Sequence, residues 1–491
     1  MSSKSAIVIG AGFAGISTAT HLASQGWNVT VLEKHNQPGG RARVFREQGF
    51  VFDMGPSWYW MPDVFERYFK QFGSSVSDHY QLVRLGPSYR VFFPGEEVVD
   101  VPAGDDALFA LFEQLEPGSS ANLKRFLKDA AYKYDVGIND LVHKPSRSLM
   151  EFADRRVISG LFRMHLLTGF SKYIRKYFSD ERLLMILEFP VLFLGAKPQD
   201  IPALYSLMNH ADLALGTWYP LGGMHRIVEG MVNVAKYKGV KFLFDQEVTA
   251  LNTDGTRITS VETKEGSYQS SVVIGAADYH HVDQHLLPQS KRNYSPGYWD
   301  KRVMAPSSLL FYLGINKKVK GLLHHNLFFD EDFNVHAKEI YDTPAWPEKP
   351  LFYVSVPSVT DPSVAPAGME NMFILIPVAP GLQDNPELQE HYYNLVMDRL
   401  EARTGQTIRD SVIYKRNYSV SNFIQDYHAF RGNAYGLANT LRQTAILKPS
   451  IKNKKVSNLF YSGQLTVPGP GVPPSLISGE VVANQVIKTF S

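Results

Sequence analysis

The stretch Ser5-Ala-Ile-Val-Ile-Gly-Ala-Gly-Phe-Ala-Gly-Ile16, continued by Val29-Thr-Val-Leu-Glu33 and Phe52-Asp-Met-Gly-Pro-Ser-Trp58, decides how the rest of the chain is read. Residues 6–9 are a short apolar run of the kind a strand buried in a parallel sheet shows. Gly10, Gly12 and Gly15 follow at once as G-x-G-x-x-G. Residues 16–24 read as a helix ended by Gly26, residues 29–32 as a second apolar strand, and Glu33 stands at its end. Gly10 suits a tight turn, Gly12 close approach to a pyrophosphate, and Gly15 close helix–strand packing. The helix start, with Phe13 and Ala14, offers free N–H groups and the positive end of a dipole. Glu33, followed by Lys34, is placed to accept hydrogen bonds from a ribose. A sharp strand-to-helix turn without a ligand is the plain alternative, but all five parts in register point to a dinucleotide site.

What comes next separates two kinds of dinucleotide protein. Gly39-Gly40-Arg41-Ala42-Arg43 follows immediately, where a third strand with ordinary loops would continue a nicotinamide-binding domain. Two glycines permit close backbone approach, and Arg41 can meet a phosphate with a forked donor.

With 491 residues the chain exceeds one ordinary core, so two domains are expected, with discontinuous segments. A net charge of +2 and no long basic run give no reason to expect nucleic acid. The absence of cysteine excludes disulfides, thiolate catalysis, iron–sulfur clusters and thiolate-rich zinc sites, and no metal site is expected. The first strand begins too early for a signal peptide, and no apolar run reaches the ~18 residues of a spanning helix. An intracellular protein is expected. Its 30 Phe and 25 Tyr fit either a large apolar binding surface or simply a large aromatic core.

Residues 89–101 read as a hairpin turning at Pro94-Gly95, and residues 107–115 and 121–134 carry helical spacing. Residues 149–193 read as mostly helical, apolar and rich in Arg, either an internal lid or a surface lying on a membrane. From Gly216 the text runs Trp218-Tyr-Pro-Leu-Gly-Gly-Met224, a helix over 224–236, a strand over 241–244, and Glu247-Val248. A charged hairpin over 258–269 leads to a buried strand within 271–277, then Asp278-Tyr-His-His281. Residues 296–454 alternate strand patterns, such as 308–314 and 371–377, with proline-rich turns, and read as a second sheet walling a cavity. The chain closes with a strand over 459–462, Gly463-Gln-Leu-Thr-Val-Pro-Gly-Pro-Gly-Val472-Pro-Pro, and a helix from Ser475.

Taken in order, 10–58, 218–224, 357–362, 432–437 and 463–478 resemble bacterial phytoene desaturases of the carotenoid pathway. These are flavoproteins of the amine oxidase type, and the likeness is greatest to their Bacteroidetes branch. Many of those proteins carry G-A-G-T-H-P where this chain has Gly463-Gln464-Leu465-Thr466-Val467-Pro468, so a role for that histidine does not carry over. The resemblance implies an α/β fold, with a discontinuous Rossmann-like FAD-binding domain (1–75, 216–295, 455–491). It also implies a substrate domain of mixed sheet plus helical lid (76–215, 296–454), whose region 105–215 would associate with a membrane. The implied cofactor-binding set is Gly10, Gly12, Phe13, Ala14, Gly15, Glu33, Lys34, Gly40, Arg41, Gly55, Pro56, Ser57, Trp58, Val248, Gly463, Gln464, Val472 and Pro473.

The implied activity is FAD-dependent desaturation of an apolar carotenoid, with phytoene as substrate and a hydroxycarotenoid 3,4-desaturase as the alternative. An amine oxidase and a non-catalytic carotenoid binder are the other classes weighed. No proton acceptor stands out: Asp154 and Arg155 (beside Arg156) and His225 are the catalytic candidates, each with a plain structural explanation. Tyr59, Trp60 and Trp218 read as cavity wall or core. A cytoplasmic protein peripheral on the inner membrane is expected, with oxygen or a quinone as terminal electron acceptor.

Overall fold

The apolar runs of the sequence meet side by side. In the computed structural model, which describes residues 4–146, 165, 168–192, 194–440 and 442–490, five strands form one wholly parallel sheet. Their order is Leu459–Tyr461, Val272–Gly275, Ser5–Ile9, Asn28–Leu32 and Lys241–Leu243. The first strand is central, so Ile7, Val8 and Ile9 are shielded by neighbours on both sides and by helices above. Helix Phe13–Ser24 packs against the terminal helix Val472–Phe490 and against His225–Tyr237. Because it is enclosed on nearly every side, its sequence shows little helical periodicity, and it starts at Phe13, three residues before the apolar spacing becomes visible. The terminal helix likewise starts at Val472, not Ser475. Pro473 and Pro474 fit its first turn because N–H groups there have no intrahelical acceptor.

The second sheet has seven strands, ordered Val412–Tyr418, Ser307–Ile315, Glu370–Val378, Phe352–Ser355, His325–Phe328, Tyr89–Phe92 and Val98–Val101. Pairing is antiparallel except between His325–Phe328 and Tyr89–Phe92. Period-2 alternation assigns its faces. Leu309, Phe311, Phe328, Phe352, Ile374 and Ile376 pack into a core with helix Pro386–Thr404. Leu310, Leu327, Tyr353 and Leu375 on the opposite face line a cavity. Phe92, Phe328 and Phe352 stack across three strands at centroid distances of 4.4 and 4.2 Å.

Helix Asp105–Leu115 packs on Ser119–Tyr134 and on Glu181–Leu192, and Phe189 and Leu192 of the last line that cavity. Trp218–Pro220 pairs with Leu82–Arg84, tying residues 76–215 to those after 216. Among the described residues no helix is long and apolar enough to cross a membrane.

Candidate active site

Gly10 sits at φ +102°, and its N–H donates to the Leu32 carbonyl at 2.8 Å, which closes the turn onto the second strand. A Cβ on Gly15 would lie 2.0 Å from the Gly10 carbonyl oxygen, so helix and turn meet backbone to backbone. A Cβ on Gly12 would touch no atom within 4 Å: it would project into open space. The Phe13 and Ala14 N–H groups at this helix start lack intrahelical acceptors.

Glu33 is buried and does more than the sequence suggests. Its Oε2 accepts from the Ala11 N–H at 2.6 Å and its Oε1 from the His35 N–H at 3.0 Å. The carboxylate therefore braces the glycine turn, while keeping further lone pairs for another donor. Lys34 is held by the Gln425 carbonyl (2.7 Å) and Glu247 (3.4 Å).

The Gly-Gly-Arg segment crosses directly over the turn. Gly39 N–H donates to the Ala11 carbonyl at 2.8 Å, and a Cβ on Gly40 would stand 3.3 Å from Gly12 Cα. Arg41 donates to the Asn433 carbonyl at 3.1 Å and lies over the Tyr427 ring at 5.0 Å. With the Gln464 amide oriented to match donors and acceptors, its oxygen accepts from Arg41 Nη2 and Nη1 at 2.9 and 3.1 Å. Gln464, a departure from the family pattern, thus holds the arginine. Burial pulls the Arg41 guanidinium below its ordinary value, with Asp278 pulling the other way. Asp278 is itself pushed up to about 6, first by burial and against the opposing effect of Arg41. Among the described residues no carboxylate stands in ion-pair reach of Arg41, whose Nε is buried without a partner. A buried forked cation beside a glycine cradle and a helix start is the donor set a pyrophosphate fits.

The glycine turn, Glu33, Lys34, Gly40, Arg41, Asp278 and Gln464 border one cavity of about 780 Å³. Every expected cofactor-binding residue lines it except Gly15, which is sealed against Gly10. Val248, at the start of strand Val248–Asp254, joins the nucleotide end with Gln246 and Glu247. Gly463, Gln464, Val472 and Pro473 join from the chain terminus, with the Gly463 N–H fixed by Ser478 Oγ at 3.0 Å. Asp278, His281 and Tyr427 also line the cavity. They were missed, although an acid just after a buried glycine-ended strand is a legible signal.

His225 stands apart from the cavity lining. Its backbone N–H and Nδ1 meet Asp53 Oδ1 at 3.0 and 3.1 Å, and its Nε2 meets Arg46 at 3.2 Å. It anchors the segment before Gly55 instead of facing the cavity. Asp154, Arg155 and Arg156 lie outside the described residues. Tyr59 is core, bonded to the Tyr80 hydroxyl at 2.9 Å. Trp60 lines the cavity, with its indole N–H on Thr217 Oγ1 at 2.9 Å; Trp218 does not line it.

Beyond Trp58 the cavity becomes an apolar chamber walled by Leu192, Leu194, Leu207, Phe189, Leu327 and Phe329, among others. Among the described residues, the carboxylates that border the cavity are Glu33, Glu247, Asp278 and Asp426, all toward the glycine turn. The Trp58 ring lies flat on His325, 4.0 Å between centroids.

Comparison with known proteins agrees with this geometry. The pattern of the family described as "Flavin containing amine oxidoreductase" matches residues 13–487. The carotenoid 3,4-desaturase of Haloarcula japonica is 40% identical over 100% of this chain and 99% of its own length. The zeta-carotene-forming phytoene desaturase of Myxococcus xanthus is 30% identical over 98% of this chain and 93% of its own. Among solved structures, an oxidoreductase from Methanosarcina mazei has a TM-score of 0.63 at 16% identity, covering 99% of this chain and 100% of its own. Cyclohexylamine oxidase from Brevibacterium oxydans has a TM-score of 0.60 at 14% identity, covering 99% and 100%. These two share the fold. FAD is the cofactor that the glycine cradle and Arg41 fit, and the chain belongs to the flavin-containing amine oxidoreductases, on the branch of the carotenoid desaturases.

Proposed function

We propose that the protein is a carotenoid 3,4-desaturase, removing two hydrogens from a single bond next to an existing polyene and so extending conjugation. The observation that carries this is the chamber: long apolar walls continuous with the dinucleotide cradle, and no carboxylate among the described residues beyond it. An ammonium substrate would find no counter-charge there among the described residues. A hydrocarbon is held by burial, at about 25 cal/mol per Å² of apolar area, and FAD supplies the two-electron acceptor. The residues named for the cofactor keep their proposed roles: Gly12 and Arg41 at the pyrophosphate, Glu33 at the ribose, Val248 at the adenine. The 3,4 position is preferred because the 40% identity to the Haloarcula protein spans both chains end to end. Phytoene is the second reading, favoured by relatives near 30% identity.

The test presents holoprotein, without oxygen, with liposomes holding either phytoene or an acyclic carotenoid saturated at C3–C4. Flavin bleaching and a red-shifted polyene spectrum are expected with the second. Bleaching by phytoene alone selects the second reading; no bleaching with any carotenoid leaves a flavin-stabilised binder.

We further propose peripheral attachment to a membrane, because the substrate dissolves in lipid. Within the segment 149–193 read as a lid or membrane surface, residues 149–164, 166, 167 and 193 lie outside the described residues. Phe170 of that segment is buried and packs inward, so it offers no surface contact. Arg175 is engaged by Glu188 at 3.1 Å, which leaves Lys172 and Lys176 exposed on that segment. Each lysine near an anionic surface contributes about 1 kcal/mol. Wild type should sediment with anionic liposomes at low salt, less at high salt, and less after Lys172→Gln with Lys176→Gln. Equal sedimentation of the double variant removes this segment from the contact.

A further inference from the structure

We propose that Tyr353 and His325 form the proton-accepting pair of the chamber, passing the proton outward past Ser355 and His324 to Thr360. The proposal rests on the desaturase reading and supplies the acceptor that neither the sequence nor the cofactor site identifies. Desaturation must place one proton somewhere in an apolar enclosure. Tyr353 lines the cavity wall, and its hydroxyl meets His325 Nδ1 at 2.5 Å. Both side chains are on the cavity face of the second sheet, on paired strands, where diagonal neighbours reach each other. His325 is fully buried, and its Nε2 has no partner.

His336, another imidazole that lines the cavity, is engaged at both nitrogens. His336 uses Nε2 on the Pro377 carbonyl at 2.9 Å and Nδ1 on the Leu351 N–H at 3.0 Å. No carboxylate is present there among the described residues.

The atoms balance as follows. FAD held at the glycine cradle would supply the two-electron acceptor, so that hydride loss from the substrate would leave a cation delocalised along the polyene. The neighbouring C–H then releases a proton to the Tyr353 oxygen as the tyrosine hands its own proton to His325 Nδ1, and the C–H electron pair becomes the new double bond. A polyene cation is a strong acid, so a weak neutral base suffices. Burial holds the His325 imidazole well below its ordinary value, with His324 adding to that, and raises the Tyr353 hydroxyl. The Trp58 face stacked on His325 supports the transient imidazolium through its π-electrons. An imidazolium so buried gives up its proton readily.

The way out is built into the same strands. Ser355 stands across from His325 in the strand pairing, and Ser57 and Tyr435 border the same cavity as Tyr353. Behind them lies a second cavity of about 20 Å³, lined by Ser57, Ser355 and His324, large enough for one water. His324 Nε2 and Ser355 Oγ have no protein partner, and His324 Nδ1 meets Thr360 Oγ1 at 2.9 Å. Thr360 is half-buried, at the surface.

Tyr353→Phe and His325→Gln holoproteins test this by the rate of flavin bleaching under anaerobic mixing with the carotenoid that bleaches wild type. General acid–base groups are worth roughly 10²–10⁴-fold. Bleaching at least tenfold slower is expected in both variants, with FAD content and KM within threefold of wild type. Bleaching less than tenfold slower in either, or a loss matched by lost FAD, overturns the pair. A readout independent of substrate uses holoprotein with ¹⁵N-labelled histidine: His325 is expected as the Nε2–H tautomer, its Nδ1 signal shifted in Tyr353→Phe. An Nδ1–H tautomer overturns the proposal even if the carotenoid assignment stands. A wild type that no carotenoid bleaches, with the expected tautomer in place, counts against the desaturase reading alone.

Discussion

Gly12→Ala should yield a folded protein that binds FAD at least about fivefold more weakly than wild type. The added Cβ meets no protein atom within 4 Å, and the backbone there (φ −79°, ψ −180°) suits alanine. Alanine is a poorer helix cap than glycine, but it also lowers the entropy of the unfolded chain by about 0.4–1 kcal/mol. The two effects nearly cancel, so thermal unfolding of the flavin-free variant should match wild type. The methyl instead enters the space the pyrophosphate needs, and overpacking costs about 1–3 kcal/mol, roughly fivefold to 160-fold in affinity. Gly15→Ala is the contrasting variant. Its Cβ would stand 2.0 Å from the Gly10 oxygen and 3.2 Å from Ala276 Cβ, with backbone unable to yield on one side. It should lower the unfolding temperature and lose flavin together. FAD titration and thermal scans of the deflavinated proteins separate the two, and wild-type FAD affinity in Gly12→Ala would remove Gly12 from the cofactor site.

Glu33→Ala is expected to cost more than one ribose contact. The carboxylate accepts from the Ala11 and His35 N–H groups within a buried turn. Hydrogen bonds to a charged acceptor are worth about 1.5–3 kcal/mol each, and buried donors left unpaired add a desolvation penalty. Loss of these bonds should destabilise the flavin-free protein by about 3 kcal/mol or more, before any FAD is added. Glu33→Gln keeps one carbonyl acceptor and should recover part of that stability, while FAD affinity stays below wild type. If Glu33→Ala unfolds at the wild-type temperature without FAD, the brace is not what holds the turn.

Local sequence determined the elements whose requirements are met by near neighbours. The glycine turn, the strands on either side of it and hairpin 89–101 were legible because each depends on a steric rule acting within a few residues. Strands 307–315 and 370–378 were legible too, as apolar runs between proline-rich turns, the pattern of strands covered on both faces. Helix Phe13–Ser24 was legible only from Ile16 onward, because burial on all sides erases amphipathic spacing.

Tertiary structure decided what side chains do once distant segments meet. Glu33 could be read as a ribose ligand, but its bonds to Ala11 and His35 depend on how the turn folds back over the second strand. His225 read as a candidate beside a glycine turn, yet the chain brings Asp53 to it from 172 residues away and makes it an anchor. Gln464 read as a departure from a pattern, and the fold places it against Arg41. The pairing of His325 with Tyr353 comes from the register of two strands, and no local pattern of residues encodes it. A short-range rule is written in neighbouring residues, whereas a hydrogen bond across a sheet or cavity exists only after burial has chosen which faces meet.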